Sequence, residues 1–568
     1  MSTSPGTVAF RHARDQLIAL REDGARAAAS WRWPDVGDSF NWARDWFDVV
    51  AEANEKTALW IVEEDGSERK YSFAELRRRS NQVANWLRER GVGRGDPVML
   101  MLGNQVELWV SMLAVMKLGA VILPTSAVLV PHELADRVER AQVRQVIANT
   151  EDAHKFDTVP GDYLRISVGA RVDGWLPFAD ASDSSAADVE ASVSTDDPSL
   201  VYFTSGTTSR PKIVVHTYRA YPVGHLTTMY WIGVRPGDVH LAISSPGWGK
   251  HAWSSFFAPW IAEATVFVYN YVRFDPEALM KQLDRAAVTS FCAPPTVWRM
   301  LIQHDIERRP GALREILSAG EPLNPEVIAR IKQWWGLEIR DGYGQTETTA
   351  LIGNAPGAAV VPGAMGRPLP GVEIALIDPI TGAPASEGEI CLDLAAVPLN
   401  LMAGYLGSPE ATAESMRGGY FHTGDVAVRD DDGCITFVGR TDDIFKSSDF
   451  KVSPFEVESI LIEHPAVHEA AVVGAPDETR LNVTKAYVAL AAGWAPSQET
   501  AFALLSHARA SLPPYMRVRR IEFFELPKTA SGKIRRVELR QREVEAATSG
   551  IRIAVEWREE DFPGLKRG

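Results

Sequence analysis

Short runs of apolar and β-branched residues recur through the first half of the chain: Pro97–Met101, Ala120–Leu123, Gln145–Ile147, Thr265–Tyr269 and Ser290–Ala293. Between them lie stretches such as Phe73–Arg90, whose apolar residues return at helical spacing. Continuous apolar strands alternating with amphipathic helices predict βαβ units and an α/β fold built on largely parallel sheet. The most apolar long window, Leu108–Pro124, is broken by Lys117. It falls short of the ~20 residues that a membrane span needs, so it reads as a buried helix running into a strand.

The pattern changes along the chain. Residues 180–194, rich in Asp, Ser and Ala, predict a surface connection. From about Gly371 the apolar runs shorten and Gly/Asp turns separate them, as in EGEI at 387–390 and DDDGCITFVG at 430–439, which predicts an antiparallel or barrel-like part. After Asp442 a compact α+β stretch is expected to about Arg542, with Phe455, Val457, Ile460 and Leu461 on the apolar stripe of one helix. No internal repeat is visible, and the tail from Ala546 carries no readable pattern.

With 568 residues the chain is too long for one hydrophobic core and should divide into domains. Its formal net charge of −15 repels a polyanion, so nucleic acid is not an expected partner. An anionic ligand then needs a local cluster of lysines and arginines. The three cysteines, Cys292, Cys391 and Cys434, are far apart with no CxxC pair, which argues against a zinc site or disulfide framework and fits a reducing cytoplasm. The N-terminal stretch has no basic head followed by a continuous apolar run, so it does not read as a secretory signal.

Residues 202–212, YFTSGTTSRPK, gather hydroxyls, one glycine and a lysine directly after the apolar Leu200-Val201. Hydroxyls and backbone N–H groups donate to phosphate oxygens, glycine allows close approach, and lysine adds a point charge. The spacing is not that of the GxxxxGK[ST] loop. Four further segments follow in order: DGYGQTETT at 341–349, HTGDVA at 422–427, GRTDDIFKSSDFKVSPFEVE at 439–458 and LPKTASGKIRR at 526–536. Together the five resemble the adenylate-forming superfamily of acyl-CoA synthetases, aryl-CoA ligases, luciferases and peptide-synthetase adenylation domains. FNWARDWFD at 40–48, GWGKHAWSS at 247–255, CAPPTVWRML at 292–301 and EHPAVHEAAVV at 463–473 extend the likeness to its medium-chain acyl-CoA synthetase branch, over about residues 40–545.

The resemblance implies a large N-terminal domain, residues 1–441, of two stacked αβαβα-type sheets plus a β-barrel-like subdomain, and a small mobile α+β domain, residues 442–568. It implies that Thr204, Ser205, Gly206, Thr207, Thr208 and Lys212 cradle the triphosphate of ATP, that Thr346 touches the α-phosphate and that Glu347 holds Mg²⁺. Gly320, Glu321 and Pro322 would flank the adenine, with Asp341 at its amino edge, Gly342 and Gln345 beside it and Tyr343 stacked on it. Asp425 would hold both ribose hydroxyls, a bidentate task for two acceptor oxygens, and Arg440 would reach the same sugar. Lys533 would carry the adenylation step by neutralising charge that builds as a carboxylate attacks the α-phosphate. Asp442 matches the hinge about which the small domain swings, and Ser448, Asp449 and Lys451 the channel for the pantetheine thiol of coenzyme A.

Two departures from the family pattern matter. Many relatives have Ser-Gly-aromatic-Arg where this chain has Ser448-Asp449-Phe450-Lys451, which replaces a flexible glycine by an anion and a planar fork by a point charge. Acetate-specific relatives place a tryptophan where this chain has Gly344, so room for a longer, branched or aromatic acid is expected, lined by Trp248, Gly249, Lys250, His251 and Trp253. Lys250 or His251 is either a reader of a polar substituent or a structural group. Three functions compete: an AMP-forming acyl-CoA ligase acting on a medium-chain, branched or aromatic carboxylic acid with ATP, Mg²⁺ and CoA; an adenylate-forming ligase with an amine or carrier-protein acceptor; and a silent nucleotide-binding regulator. The retained Lys533, Glu347 and Asp425 weigh against the last. A homo-oligomer is compatible with the sequence, and no integral membrane association is expected.

Overall fold

The computed structural model describes residues 4–204, 210–321, 323–448, 450–477, 480–528, 533–549 and 555–567. The chain forms two units by its internal contacts. Unit 1 comprises residues 1–374, 392–421 and 433–435; unit 2 comprises residues 375–391, 422–432 and 436–568.

Unit 1 is built on two large sheets. In the nine-stranded sheet, Arg340–Gly344, Glu315–Ala319, Ser290–Ala293, Val239–Ala242, Thr265–Tyr269 and Thr57–Val62 run parallel in that order. Antiparallel strands finish it at both edges. In the eight-stranded sheet the parallel order is Pro198–Thr204, Val121–Pro124, Pro97–Met101, Gln145–Asn149, Leu164–Val168 and Leu176–Pro177. Lys212–Thr217 and then Gly404–Tyr405 extend it antiparallel beside the first of these.

The apolar runs form these strands because both of their faces are covered by helices. Met99, Met101, Val121, Leu123, Val146 and Ala148 pack into one buried cluster with Leu134, Val138 and Phe156. The expected helix spans Phe73–Glu89; Ser72 caps it by accepting from the Glu75 amide, and Leu76, Val83, Trp86 and Leu87 are buried. The apolar window resolves into a helix, Val106–Lys117, and the strand Val121–Pro124. Lys117 is itself fully buried, 2.7 Å from Asp48. The stretch after Asp180 is tied to the helix Phe73–Glu89, because Asn85 donates to the Ser185 and Ala187 carbonyls.

Unit 2 holds most of a four-stranded sheet, ordered Ile374–Ile377, Glu387–Asp393, Tyr420–Arg429, Ile435–Arg440. An antiparallel pair follows, Phe445–Ser447 with Phe450–Val452. A mixed sheet comes next, ordered Val467–Asp477, Leu481–Leu490, Arg520–Phe523, Glu556–Arg558. The helices Pro454–Ile462, Gln498–Ser511 and Arg536–Ser549 accompany it, and Val457, Leu461, Leu504 and Leu505 belong to its core. Phe455 and Ile460, expected on the same stripe, are only half-buried. The unreadable tail supplies an edge strand.

That tail has an electrostatic reason to dock. Lys485, wholly buried, lies 2.9 Å from Glu522 and 2.7 Å from both Glu543 and Glu556. Three buried carboxylates around one ammonium would be untenable alone; Arg542 on Glu522 and Arg558 on Glu556 supply the remaining countercharge.

Candidate active site

The expected site residues fall into two groups, one in each unit. Ser205, Gly206, Thr207, Thr208, Pro322 and Asp449 lie outside the described residues.

In unit 1 the strand pair on either side of the hydroxyl-rich loop places Thr204 directly opposite Lys212. The Lys212 ammonium stands 4.7 Å over the ring of Tyr405, and the Tyr405 hydroxyl donates to Glu347 Oε1 at 2.9 Å. Lys212 and Glu347, distant in sequence, are thus brought to one phenol. The residue ahead of Glu347 is also fixed: His216 Nε2 makes a 2.7 Å bond to the Thr346 carbonyl while its ring stacks on Tyr221 at 4.0 Å. Burial pushes the His216 imidazole down to about 4, so it is neutral at physiological pH and its Nε2 is the donor. Gln345 is tied by its amide to Thr348 Oγ1. Neither Tyr405 nor His216 was singled out from sequence, since both act through partners more than fifty residues away.

Asp341, Gly342, Tyr343 and Gly344 lie on the strand Arg340–Gly344, next to Gly320, whose φ of +105° suits glycine. Glu321 is exposed. Gly342 is required by packing: a Cβ there would meet the Trp231 indole at 2.3 Å. The Asp341 carboxyl is buried and pushed up to about 7 by that burial, although the Gly342 and Leu323 amides and the Lys250 ammonium pull the other way. Lys250 Nζ donates to the Ala319 carbonyl at 2.8 Å, which holds its charge on the Asp341 side.

The space expected beside Gly344 is filled. A Cβ at Gly344 would lie 2.3 Å from the Thr349 carbonyl oxygen and 2.5 Å from Trp253 Cη2. The indole missing from position 344 is replaced by one arriving from the helix that begins at Trp253, and its Nε1 donates to Tyr221 Oη at 2.9 Å. Gly249 opens the preceding helical turn and Trp248 stands half-buried before it. His251 is buried, its Nε2 bonds Asn104 Oδ1 at 3.1 Å, and desolvation pushes its pKa down to about 4.

In unit 2, Asp425 sits on Tyr420–Arg429 and receives Arg440 Nη1 at 3.1 Å; the Arg440 Nε reaches Asp442 Oδ1 at 3.3 Å. Three expected residues therefore share one guanidinium. Ser448 has a positive φ of 56° at the turn between the short strands, and Lys451 is exposed beside Lys446. Lys533 is exposed and lies three residues before Arg536. Arg536 makes a two-pronged bond to Glu458, at 3.0 and 2.7 Å, and with Arg540 reaches Asp443.

The chain matches the family described as AMP-binding enzyme over residues 46–406, and that described as AMP-binding enzyme C-terminal domain over residues 456–533. It is 44% identical to 4-hydroxybutyrate–CoA ligase 1 of Metallosphaera sedula over 523 residues, covering 90% of this chain and 92% of that protein. It is 36% identical to the mitochondrial acyl-coenzyme A synthetase ACSM3 of Mus musculus, covering 90% and 91%. Among solved structures, the anthranilate CoA ligase AuaEII in complex with anthranoyl-AMP superposes with a TM-score of 0.81 at 29% identity, over 90% of this chain and 98% of that one. The chain belongs to the AMP-binding enzyme family of adenylate-forming ligases. Within it, the chain is an AMP-forming acyl-CoA synthetase that uses ATP and CoA to activate a carboxylic acid through an acyl-adenylate. Among the described residues no helix is long and apolar enough to cross a membrane.

Proposed function

We propose that the acid is a compact aliphatic one, short hydroxy acids included, and that its chain ends against Trp253. The observation that carries this is the indole of Trp253 standing in the space beside Gly344. The 44% identical relative, named for 4-hydroxybutyrate, supports it. Lys250, half-buried beside Ala319, is the group that would read a polar substituent.

The residue roles follow chemically. Activation sets one anion against another, so the site must neutralise charge rather than supply a nucleophile. Thr204, Lys212 and Thr346 bind the phosphates, with Ser205, Gly206, Thr207 and Thr208 completing the loop. Glu347, an oxygen donor already oriented by Tyr405, fits a hard cation, and Mg²⁺ would supply charge neutralisation between phosphate groups. Asp341 accepts from the adenine amino group, Tyr343 stacks on the base, and Asp425 with Arg440 takes the ribose. Lys533 is the cation that meets the reacting carboxylate, and Ser448, Asp449 and Lys451 border the CoA channel. The mobile domain begins at Asp442, whose hinge lets one chain serve two half-reactions. Three buried free cysteines suit a reducing cytoplasm.

A panel of acids graded by length and hydroxylation, assayed for AMP and pyrophosphate release with and without CoA, tests the reading. A best substrate longer than the space in front of Trp253 allows, or aromatic, would remove the assignment. Lys533→Ala should abolish adenylate formation and leave thioester formation from supplied acyl-adenylate largely intact; equal loss of both half-reactions contradicts the swing.

A further inference from the structure

Glu389, on the strand Glu387–Asp393, is a buried carboxylate whose two oxygens both face the turn His422-Thr423-Gly424-Asp425. Its Oε1 accepts from the Gly424 amide at 2.7 Å, and its Oε2 accepts from His422 Nδ1 at 2.8 Å. Gly424 has a φ of +75°, so its amide is aimed by a left-handed conformation, and a Cβ there would meet the Arg440 guanidinium at 2.9 Å.

The other side of the turn is held independently. Thr441 N donates to the Gly424 carbonyl at 2.9 Å, and Arg440 Nη1 donates to the Thr423 carbonyl at 3.2 Å and to Asp425 Oδ1 at 3.1 Å. Thr423 Oγ1 donates to the Ile390 carbonyl at 2.7 Å, next to Glu389 in the chain, and accepts from the Asp425 amide at 3.1 Å. The Gly424 peptide is therefore fixed at both its donor and its acceptor.

We propose that Glu389 is a positioning residue for nucleotide binding: from beneath, it locks the turn that presents the Asp425 carboxylate to a cis-diol. This rests on the reading that Asp425 takes the ribose. A buried carboxylate survives only where N–H donors meet it, and here those donors belong to the turn itself, so the anion and the turn geometry stabilise one another. Cys391 Sγ lies 3.5 Å from the same His422 nitrogen, and the three side chains offer donor atoms within 4.8 Å of one another. That set resembles a site for a soft divalent metal. Both Glu389 oxygens already receive N–H donors, which favours the hydrogen-bonded brace.

The test compares Glu389→Ala, Glu389→Gln and Asp425→Ala by steady-state kinetics against ATP, acid and CoA separately. Glu389→Ala should raise the KM for ATP about tenfold, the scale of one lost charge-assisted bond. The KM values for acid and CoA should stay within about twofold. Glu389→Gln keeps an oxygen for the Gly424 amide and should recover most of the loss, while melting temperatures of both variants control for folding. If Asp425→Ala leaves the KM for ATP unchanged, the ribose reading itself fails. If Asp425→Ala raises it and Glu389→Ala does not, or Glu389→Gln is no better than Glu389→Ala, the brace is overturned. Inhibition of the wild type by micromolar zinc that is lost in Cys391→Ser would also overturn it, in favour of a metal site.

Discussion

Asp341→Asn separates what the strand Arg340–Gly344 costs the fold from what it gives the nucleotide. The carboxyl is 5% exposed and burial lifts it from 3.8 to about 7. Between those two values the folded protein holds a proton that the unfolded chain has released, so stability falls as pH rises, by about 1.4 kcal/mol per unit. The full span amounts to about 4 kcal/mol. It is absent below pH 3.8, complete above about pH 7, and constant beyond. Asparagine is never ionised and keeps an oxygen for the Gly342 amide, which bonds Asp341 Oδ1 at 2.9 Å. The variant should therefore gain on the wild type by about 3 kcal/mol between pH 5 and pH 7 and no further above that. Urea unfolding followed by tryptophan fluorescence at one-unit steps of pH reads this gap directly. In parallel, the KM for ATP of the wild type should rise as pH falls below about 7, when the carboxylate that meets the adenine amino group is lost, and that dependence should vanish in the variant. A stability gap that stays flat from pH 5 to 7 would refute the reasoning, because it would mean that burial does not hold the proton.

Lys485→Met leaves Glu522, Glu543 and Glu556 buried without their shared cation, and should destabilise unit 2 by about 3–5 kcal/mol in calorimetry. In the wild type, burial works to raise Glu556, and the Lys485 and Arg558 contacts outweigh it to hold its pKa below the usual range. That stabilisation is present above about pH 4.5 and lost as pH falls further, whereas mild acid should partly rescue the methionine variant. Trp253→Leu should extend the accepted acids towards longer chains in the AMP-release assay. Gly344→Trp should give a misfolded or inactive protein rather than a narrower pocket, since even a Cβ meets the Thr349 carbonyl at 2.3 Å; a folded variant with a shortened chain-length profile would contradict this.

The parallel strands were readable because a strand covered on both faces must be continuously apolar, and Pro97–Met101, Thr265–Tyr269 and Ser290–Ala293 appear as written in the pattern. The helix at Phe73 was readable because its apolar residues return at helical spacing. Contacts that join distant segments left no local trace. Nothing near Tyr405 announces Glu347, and nothing near Glu556 announces Lys485. The bond between His251 and Asn104, from another loop, left no local trace either. The room inferred from Gly344 was misjudged for the same reason: a missing side chain says nothing of a neighbour that fills its place.

The phenol that orients Glu347 has a consequence for how the chain is made. Tyr405 and its edge strand belong to unit 1, yet the ribosome delivers them only after residues 375–391, which belong to unit 2. The nascent N-terminal part must wait with Lys212–Thr217 uncovered along one side until that stretch emerges. Synthesis that pauses within residues 375–403 would leave a sheet margin open to wrong partners, so the speed of translation across this stretch should bear on the yield of active enzyme.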